Sequence, residues 1–243
     1  KAGETKIVEM PISEIKSTPF HFYTVKYEAV DGEGCQLAGG SVPMNFTAIV
    51  KTDEPMNMKT LSKDVSSWSN AYPIYINPPK DADDPQAWKT ADNAARAFLK
   101  WDESNLYMLV DIFDDGFHNA QTGQGIWDGD CIQVSLDSKN NKSTAYDGDD
   151  YEFGFALGGL GKPEVWTWYS PIQNQHGAVE WIDVVRDNNK KITRYLMAIP
   201  KSEISTISLA EGNVIGLNVV VNEADALTRE VLYEFTPGTG YEK

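Results

Sequence analysis

Residues 131–137, Cys-Ile-Gln-Val-Ser-Leu-Asp, alternate apolar with polar side chains, and segments of similar length and texture recur along most of the chain. A period of two sends successive side chains to opposite faces. Ile132, Val134 and Leu136 are therefore expected to face a core, with Gln133 and Ser135 opposite. Further strands are expected at 20–30, 44–52, 72–76, 94–101, 106–113, 151–157, 164–169, 178–185, 192–199, 214–222 and 230–235. The turns between them are rich in Asn, Asp and Gly, as in Asp187-Asn188-Asn189. In 94–101, Ala95, Ala97, Leu99 and Trp101 alternate with Arg96, Phe98 and Lys100, whereas 106–113 is apolar on both faces and reads as a central strand. The only helix candidate is a short turn at 200–204, and 77–92 reads as loop. Short strands at near-regular spacing with polar turns describe an all-β chain, an antiparallel β-sandwich of jelly-roll-like type.

Two strand-like runs precede the sandwich, at 20–30 and 44–52, divided by the turn-rich Asp31-Gly32-Glu33-Gly34 and Gly39-Gly40. Two strands are too few to be stable alone in water, so residues 1–60 are expected to be a short N-terminal β extension or the end of a preceding β module. The sandwich is expected over 61–243. Cys35 and Cys131 are candidates for pairing in an oxidising compartment, although Cys131, in a strand, equally fits a small buried thiol.

The 243 residues carry 36 acidic and 21 basic side chains, a net charge of −15, which argues against nucleic acid or an anionic membrane as partner. No apolar run approaches the roughly 20 residues of a membrane span, and Lys1-Ala2-Gly3-Glu4 lacks the apolar core of a signal peptide. If the protein is exported, its signal has been removed.

The histidines His21, His118 and His176 lie in unrelated contexts, with no zinc spacing, and no Gly-x-Ser-x-Gly, P-loop or dinucleotide fingerprint is present. Cleavage of a sugar bond needs two carboxylates about 5.5 Å or about 6.5–9.5 Å apart. Glu152 with Glu164 or Glu180 would be the pair, but nothing in their spacing requires convergence, and the chain reads as non-catalytic. Calcium is a better-founded cofactor. Asp114-Asp115-Gly116, Asp128-Gly129-Asp130 and Asp147-Gly148-Asp149-Asp150 each place hard oxygen donors on a turn, so Asp114, Asp115, Asp128, Asp130, Asp147 and Asp149 are candidate ligands, with a merely solvated turn as the alternative for each. None forms an EF-hand; Lys142 stands where that motif needs glycine.

Trp127 precedes the alternating strand and has two readings: a plug at the end of the core, or a flat apolar face for a sugar ring. The order of an early Ser-Ser-Trp68, then Leu99-Lys100-Trp101-Asp102 through Asn105-Leu106-Tyr107, Asp114-Asp115, Ile126-Trp127-Asp128-Gly129-Asp130 and Ile215-Gly216-Leu217-Asn218 resembles carbohydrate-binding module family 9 over about 61–243. The resemblance implies a calcium-bearing β-sandwich in exported bacterial polysaccharide-degrading proteins, secreted or at the cell surface beside other modules of a larger parent. It also implies a sugar end clasped between two aromatic rings, here Trp127 and, by motif position, Tyr241.

Two positions depart from the family's sugar-binding pattern: Gln133 stands where such members carry a glutamate, and Gly154 where they carry an arginine. Stacking without those groups implies a weak, permissive site, a vestigial one, or one that recruits Trp166 and Trp168, which share a strand face. Two further readings stay open: a structural sandwich of a surface protein, and, at superfamily level, a haem-binding redox domain with Met108, Met197 or His118 as axial ligand.

Overall fold

The computed structural model describes residues 23–44, 47–53, 55–58, 65–141, 143–172 and 175–236. The chain divides into two compact units, Lys1–Thr47 and Ala48–Lys243. The described part of the first is a hairpin of β1 (Tyr23–Val30) and β2 (Gln36–Met44). Its turn is held by Asp31, whose Oδ1 accepts from the Glu33 and Cys35 backbone N–H groups at 2.9 Å each. Gly34 there has φ +83°, a value glycine adopts without steric cost. Gly39 and Gly40, expected in a turn, lie inside β2; Gly40 pairs with Tyr27, whose ring fills the space a Cβ would need. The strand expected at 44–52 is thereby replaced by β2 and a separate two-residue strand.

That strand, β3 (Val50–Lys51), belongs to the second unit and runs parallel to β5 at Lys100 and Trp101. The unit therefore begins ahead of the expected boundary at 60/61. Its first sheet follows the order β10 (Ile182–Asp187), β11 (Ile192–Pro200), β6 (Asn105–Phe113), β5 (Ala94–Trp101), with β4 (Pro73–Ile76) and β3 sharing the far edge of β5. The second has the order β13 (Val231–Glu234), β12 (Gly216–Glu223), β7 (Cys131–Asp137), β8 (Asp150–Leu157), β9 (Pro163–Tyr169). All pairings except that of β3 are antiparallel. Ile132, Val134 and Leu136 are buried as their alternation requires, with Tyr151, Phe153 and Phe155 beside them on β8. Ala95, Ala97, Leu99, Met108, Val110, Tyr195 and Met197 supply the facing layer.

Strand β6 is central and buried on both faces, as its composition predicts. Its outer face has covers at both ends. Trp68, with Met56 and Met58, packs on Tyr107, Leu109, Leu196 and Phe98, while Trp88 packs on Ala94 and Phe113. Trp88 sits on a short helix, α1 (Pro85–Lys89), within the stretch expected to be loop. Asp84 caps it by accepting from the Gln86 N–H, and Pro85 occupies the first turn, where a missing N–H costs nothing. Residues 201–206, by contrast, form successive turns and not a helix. Cys35 and Cys131 are free thiols. Met108 and Met197 stand opposite each other across β6 and β11 with no exposure, so they pack the core. Among the described residues no helix is long and apolar enough to cross a membrane.

Residues 49–52 are tied to β5 by backbone and side chain, because Thr52 N donates to Trp101 O at 2.8 Å and Trp101 Nε1 to Ile49 O at 3.2 Å. Removing residues 1–47 should leave the sandwich intact. Removing residues 1–60 should cost it about 2 kcal/mol or more, from two hydrogen bonds and the Met56 and Met58 packing, which thermal melting would read as a fall of roughly 4–8 °C. Equal melting temperatures for the two truncations would show that 48–60 adds nothing.

Candidate functional site

The loop before β7 is a 3-10 turn, Gly123–Asp128, and its shape is set by a buried asparagine. Asn119 Nδ2 donates to the Ile126 and Asp130 carbonyls at 3.0 and 3.1 Å, and its Oδ1 accepts from Gln121 N. Gly129 is required here, since an added Cβ would lie 2.7 Å from Asn119 Cγ. Asp130 locks the other side: its carboxylate accepts from His118 N and, at 3.1 Å, from Ala224 N. Asp128 Oδ1 in turn accepts from Arg229 N at 3.2 Å.

Trp127 is thereby fixed at the rim of the second sheet with 39% of its surface exposed, which distinguishes it from the buried Trp68 at 2%. One indole face is taken: the Arg229 guanidinium lies 4.7 Å from the ring centroid, a cation–π geometry. Arg229 opens a hydrogen-bonded line across the outer face of the sheet. Its Nη1 donates to Asn222 Oδ1 at 2.9 Å, Asn222 Nδ2 donates to Gln133 Oε1 at 2.8 Å, and Gln133 Nε2 donates to Glu152 Oε1 at 2.9 Å. These residues meet because β12 pairs Asn222 with Cys131 and β8 pairs Gly154 with Gln133.

Trp166 and Trp168 do share a face. They pack on Ile126, Cys131 and Ala156, underneath the loop that carries Trp127. Trp168 Nε1 donates to Gln124 O at 3.1 Å, and Trp166 borders Gly123, whose φ of +60° starts the turn. Their place is that of supports, with both rings half-buried. Tyr241 lies outside the described residues. The structure thus brings together Trp127, Gln133, Trp166 and Trp168, and adds Arg229 and Asn222, which no local pattern singles out, and Glu152, which the sequence offers only as half of a carboxylate pair and which here accepts from Gln133.

The acidic turns separate. Antiparallel pairing of Ala94 with Phe113 makes the chain enter β5 and leave β6 at one end, so Asp92 joins Asp114 and Asp115, with one carboxylate oxygen of each within 4.8 Å of the others. Asp225 Oδ1 abuts Gly116 beside them. Arg186 offsets part of the charge, with Nη1 at 3.5 Å from Asp114 Oδ2. Burial, reinforced by Asp92 and Asp225, pushes Asp114 up to about 6. Asp147 and Asp149 are engaged within their own loop: Asp149 is paired with Lys139 at 2.9 Å, which holds it below the usual carboxylate range. Asp147 accepts from Asp149 N and Asn141 Nδ2. Asp128 and Asp130 hold backbone N–H groups, as described above.

The model of the family described as carbohydrate family 9 binding domain-like matches residues 64–241. The chain belongs to that family. Its members are non-catalytic carbohydrate-binding modules, and this chain is one. It is 25% identical over 162 residues to an endo-1,4-beta-xylanase A of Thermoanaerobacterium saccharolyticum, a match covering 65% of this chain and 12% of that protein. It is also 25% identical over 149 residues to Exoglucanase XynX of Acetivibrio thermocellus, covering 60% and 12%. The module thus spans about an eighth of these relatives' length. In fold it is similar to a family 9 module from Caldicellulosiruptor kristjanssonii in complex with cellotriose, with a TM-score of 0.57 at 18% identity, covering 79% of this chain and 85% of that one.

The two departures of this family 9 module from the sugar-binding pattern have structural accounts. The Trp168 ring occupies the space that any side chain at Gly154 would need, so an arginine there and Trp168 in this position are mutually exclusive. At Gln133 a neutral amide both accepts from Asn222 and donates to Glu152, which a second carboxylate beside Glu152 could not do.

Burial also raises Asp130 to about 8 and, with Asp225 and Asp92 adding to it, Glu223 to about 7. A carboxyl whose folded pKa is raised holds its proton over a range in which the unfolded chain, near 4, has released it. In chelator, stability should therefore be greatest near pH 5 and should fall progressively as the pH rises to 8. Melting curves at constant ionic strength measure it; a flat profile over that window would contradict the burial of these carboxyls.

Proposed function

We propose that this module holds a sugar ring on the indole face of Trp127 opposite Arg229, as the glycan-anchoring part of an extracellular polysaccharide-handling protein with other modules. The observation that carries the reading is the half-exposed indole, rigidly presented and supported from behind, at the edge of a polar line whose hydrogen bonds are internally satisfied. A flat ring with a hydrophobic face stacks on such a platform, and hydroxyls at its edge meet Arg229 and the Gln133–Glu152 side of the line. Tyr241, by motif position, is the candidate for the second ring. The relatives named as a xylanase and an exoglucanase support a plant-type β-linked glucan or xylan as ligand.

Trp127→Ala should remove most binding on a panel of xylo- and cello-oligosaccharides. Because the indole is only partly buried, the variant should lose about 1–2 kcal/mol of stability, less than the 3–5 kcal/mol typical of a fully buried tryptophan. Unchanged glycan affinity in a folded Trp127→Ala variant would refute the assignment.

Calcium belongs to the same proposal. Asp92, Asp114 and Asp115 supply a set of hard oxygen donors close enough to share one ion, and their mutual repulsion is what a divalent cation relieves. When bound, the ion would neutralise these carboxylates and fasten the entry of β5 to the exit of β6. Calcium at millimolar concentration should raise the melting temperature over that in chelator, and Asp114→Asn should abolish the rise. Coincident curves for the unmodified chain would remove the ion from this reading.

A further inference from the structure

The outer face of the first sheet carries a second arrangement, on the opposite side of the sandwich from Trp127. Strand register lines up Tyr75, Arg96, Asp111, Arg194 and Val185 in one row across β4, β5, β6, β11 and β10. The rows on either side are apolar on β5, β6 and β11 and covered there, one by Trp68 with Met56 and Met58, the other by Trp88, and they end in Asp183 and Asp187 on β10. This polar row is left open between the two covers. Tyr75 is 41% and Val185 45% exposed at its ends.

At its centre two guanidiniums share one carboxylate. Arg194 grips Asp111 with Nε at 2.6 Å and Nη2 at 2.9 Å, and Arg96 Nη2 reaches the same group at 3.2 Å. Asp111 is buried, while the side chains of Arg96 and Arg194 remain 38% and 22% exposed. Each guanidinium has five donors, and Asp111 engages a minority of them. The row therefore holds one uncompensated positive charge in a chain of net charge −15. Of the acids on the same face of β10, Asp187 is paired with Lys190 at 3.3 Å and Asp183 stands one row away. Arg96 is steadied by the Phe113 ring, 5.3 Å from its Cζ, and Tyr75 by Trp88, with centroids 5.8 Å apart.

We propose that this transverse row is a second glycan-binding site, selective for polysaccharide chains that carry uronic acid carboxylates. The guanidinium fork matches a carboxylate in geometry as well as charge, and the exposed Tyr75 ring offers a face to a neighbouring sugar. With strands about 4.8 Å apart, the row spans roughly 19 Å, which suits an extended chain more than a single ring. The proposal goes beyond the Trp127 site and does not depend on it.

The test uses the full chain with a polyuronate oligosaccharide, the methyl ester of the same oligosaccharide, and a polyglutamate peptide, at physiological ionic strength. The unmodified chain should bind the free acid at least about tenfold more tightly than the ester, and Arg96→Gln should reduce that affinity by about tenfold or more. Arg96→Gln leaves Asp111 paired with Arg194, so the fold is retained. Should that variant nevertheless fail to fold, Tyr75→Ala carries the test and should weaken binding of the same oligosaccharide. Trp127→Ala should leave it unchanged, which separates this site from the first. Equal affinity for acid and ester, loss of acid binding in Trp127→Ala, or equally tight binding of polyglutamate would overturn the proposal.

Discussion

Asp130 is the point on which both ends of this module's functional edge depend. Its carboxylate is buried and accepts from the backbone N–H groups of His118 and Ala224, residues that lie on separate loops. Its own backbone N–H returns to His118 O, and its carbonyl accepts from Asn119 Nδ2 and, at 3.3 Å, from the Tyr195 hydroxyl across the core. One residue therefore fastens the loop after β6, the start of β7 and the end of β12 to the opposite sheet. A carboxylate can do this because it accepts several hydrogen bonds at once, and burial makes each harder to replace with water. Burial is also why its protonation is displaced towards neutral pH.

Two different chemistries hang from that knot. On one side the turn carrying Trp127 is held at the sheet rim, and on the other Asp114, Asp115 and Asp92 gather at the end of β5 and β6. The proposed sugar platform needs a rigid indole with one face free. The acidic cluster calls for a counter-charge, because beyond burial Asp92 and Asp225 push Asp114 up, and Asp115 and Asp225 push Asp92 up. In the proposed reading, neutralising the cluster would strengthen the scaffold that presents Trp127, so calcium and glycan binding would be energetically linked through the same loops without sharing a ligand.

Gly154 is where the second sheet makes room for a brace of the turn that carries Trp127. The absence of a side chain there leaves room for the Trp168 ring, and that ring braces Ile126 and the turn through Gln124. Gln133 fits the same logic: it links Asn222 to Glu152, and through Asn222 to the arginine stacked on Trp127.

Much of this is legible along the chain because side-chain alternation is local. The pattern of residues 131–137 assigns Ile132, Val134 and Leu136 to the core and Gln133 to the other face, and the two-faced apolarity of 106–113 marks a central strand. Even the cap of α1 is written locally, in Asp84-Pro85, although its five residues are too few to show a helical period. Tertiary structure alone decided which distant segments share a register. The pairing of Ala94 with Phe113 carries Asp92 to Asp114, that of Asn222 with Cys131 brings Arg229 over Trp127, and the pairing of β5, β6 and β11 sets Arg96, Asp111 and Arg194 in line. No local period encodes such meetings, because they depend on hydrogen-bonded alignment between strands tens of residues apart, and a shift of one residue would turn every one of these side chains to the other face.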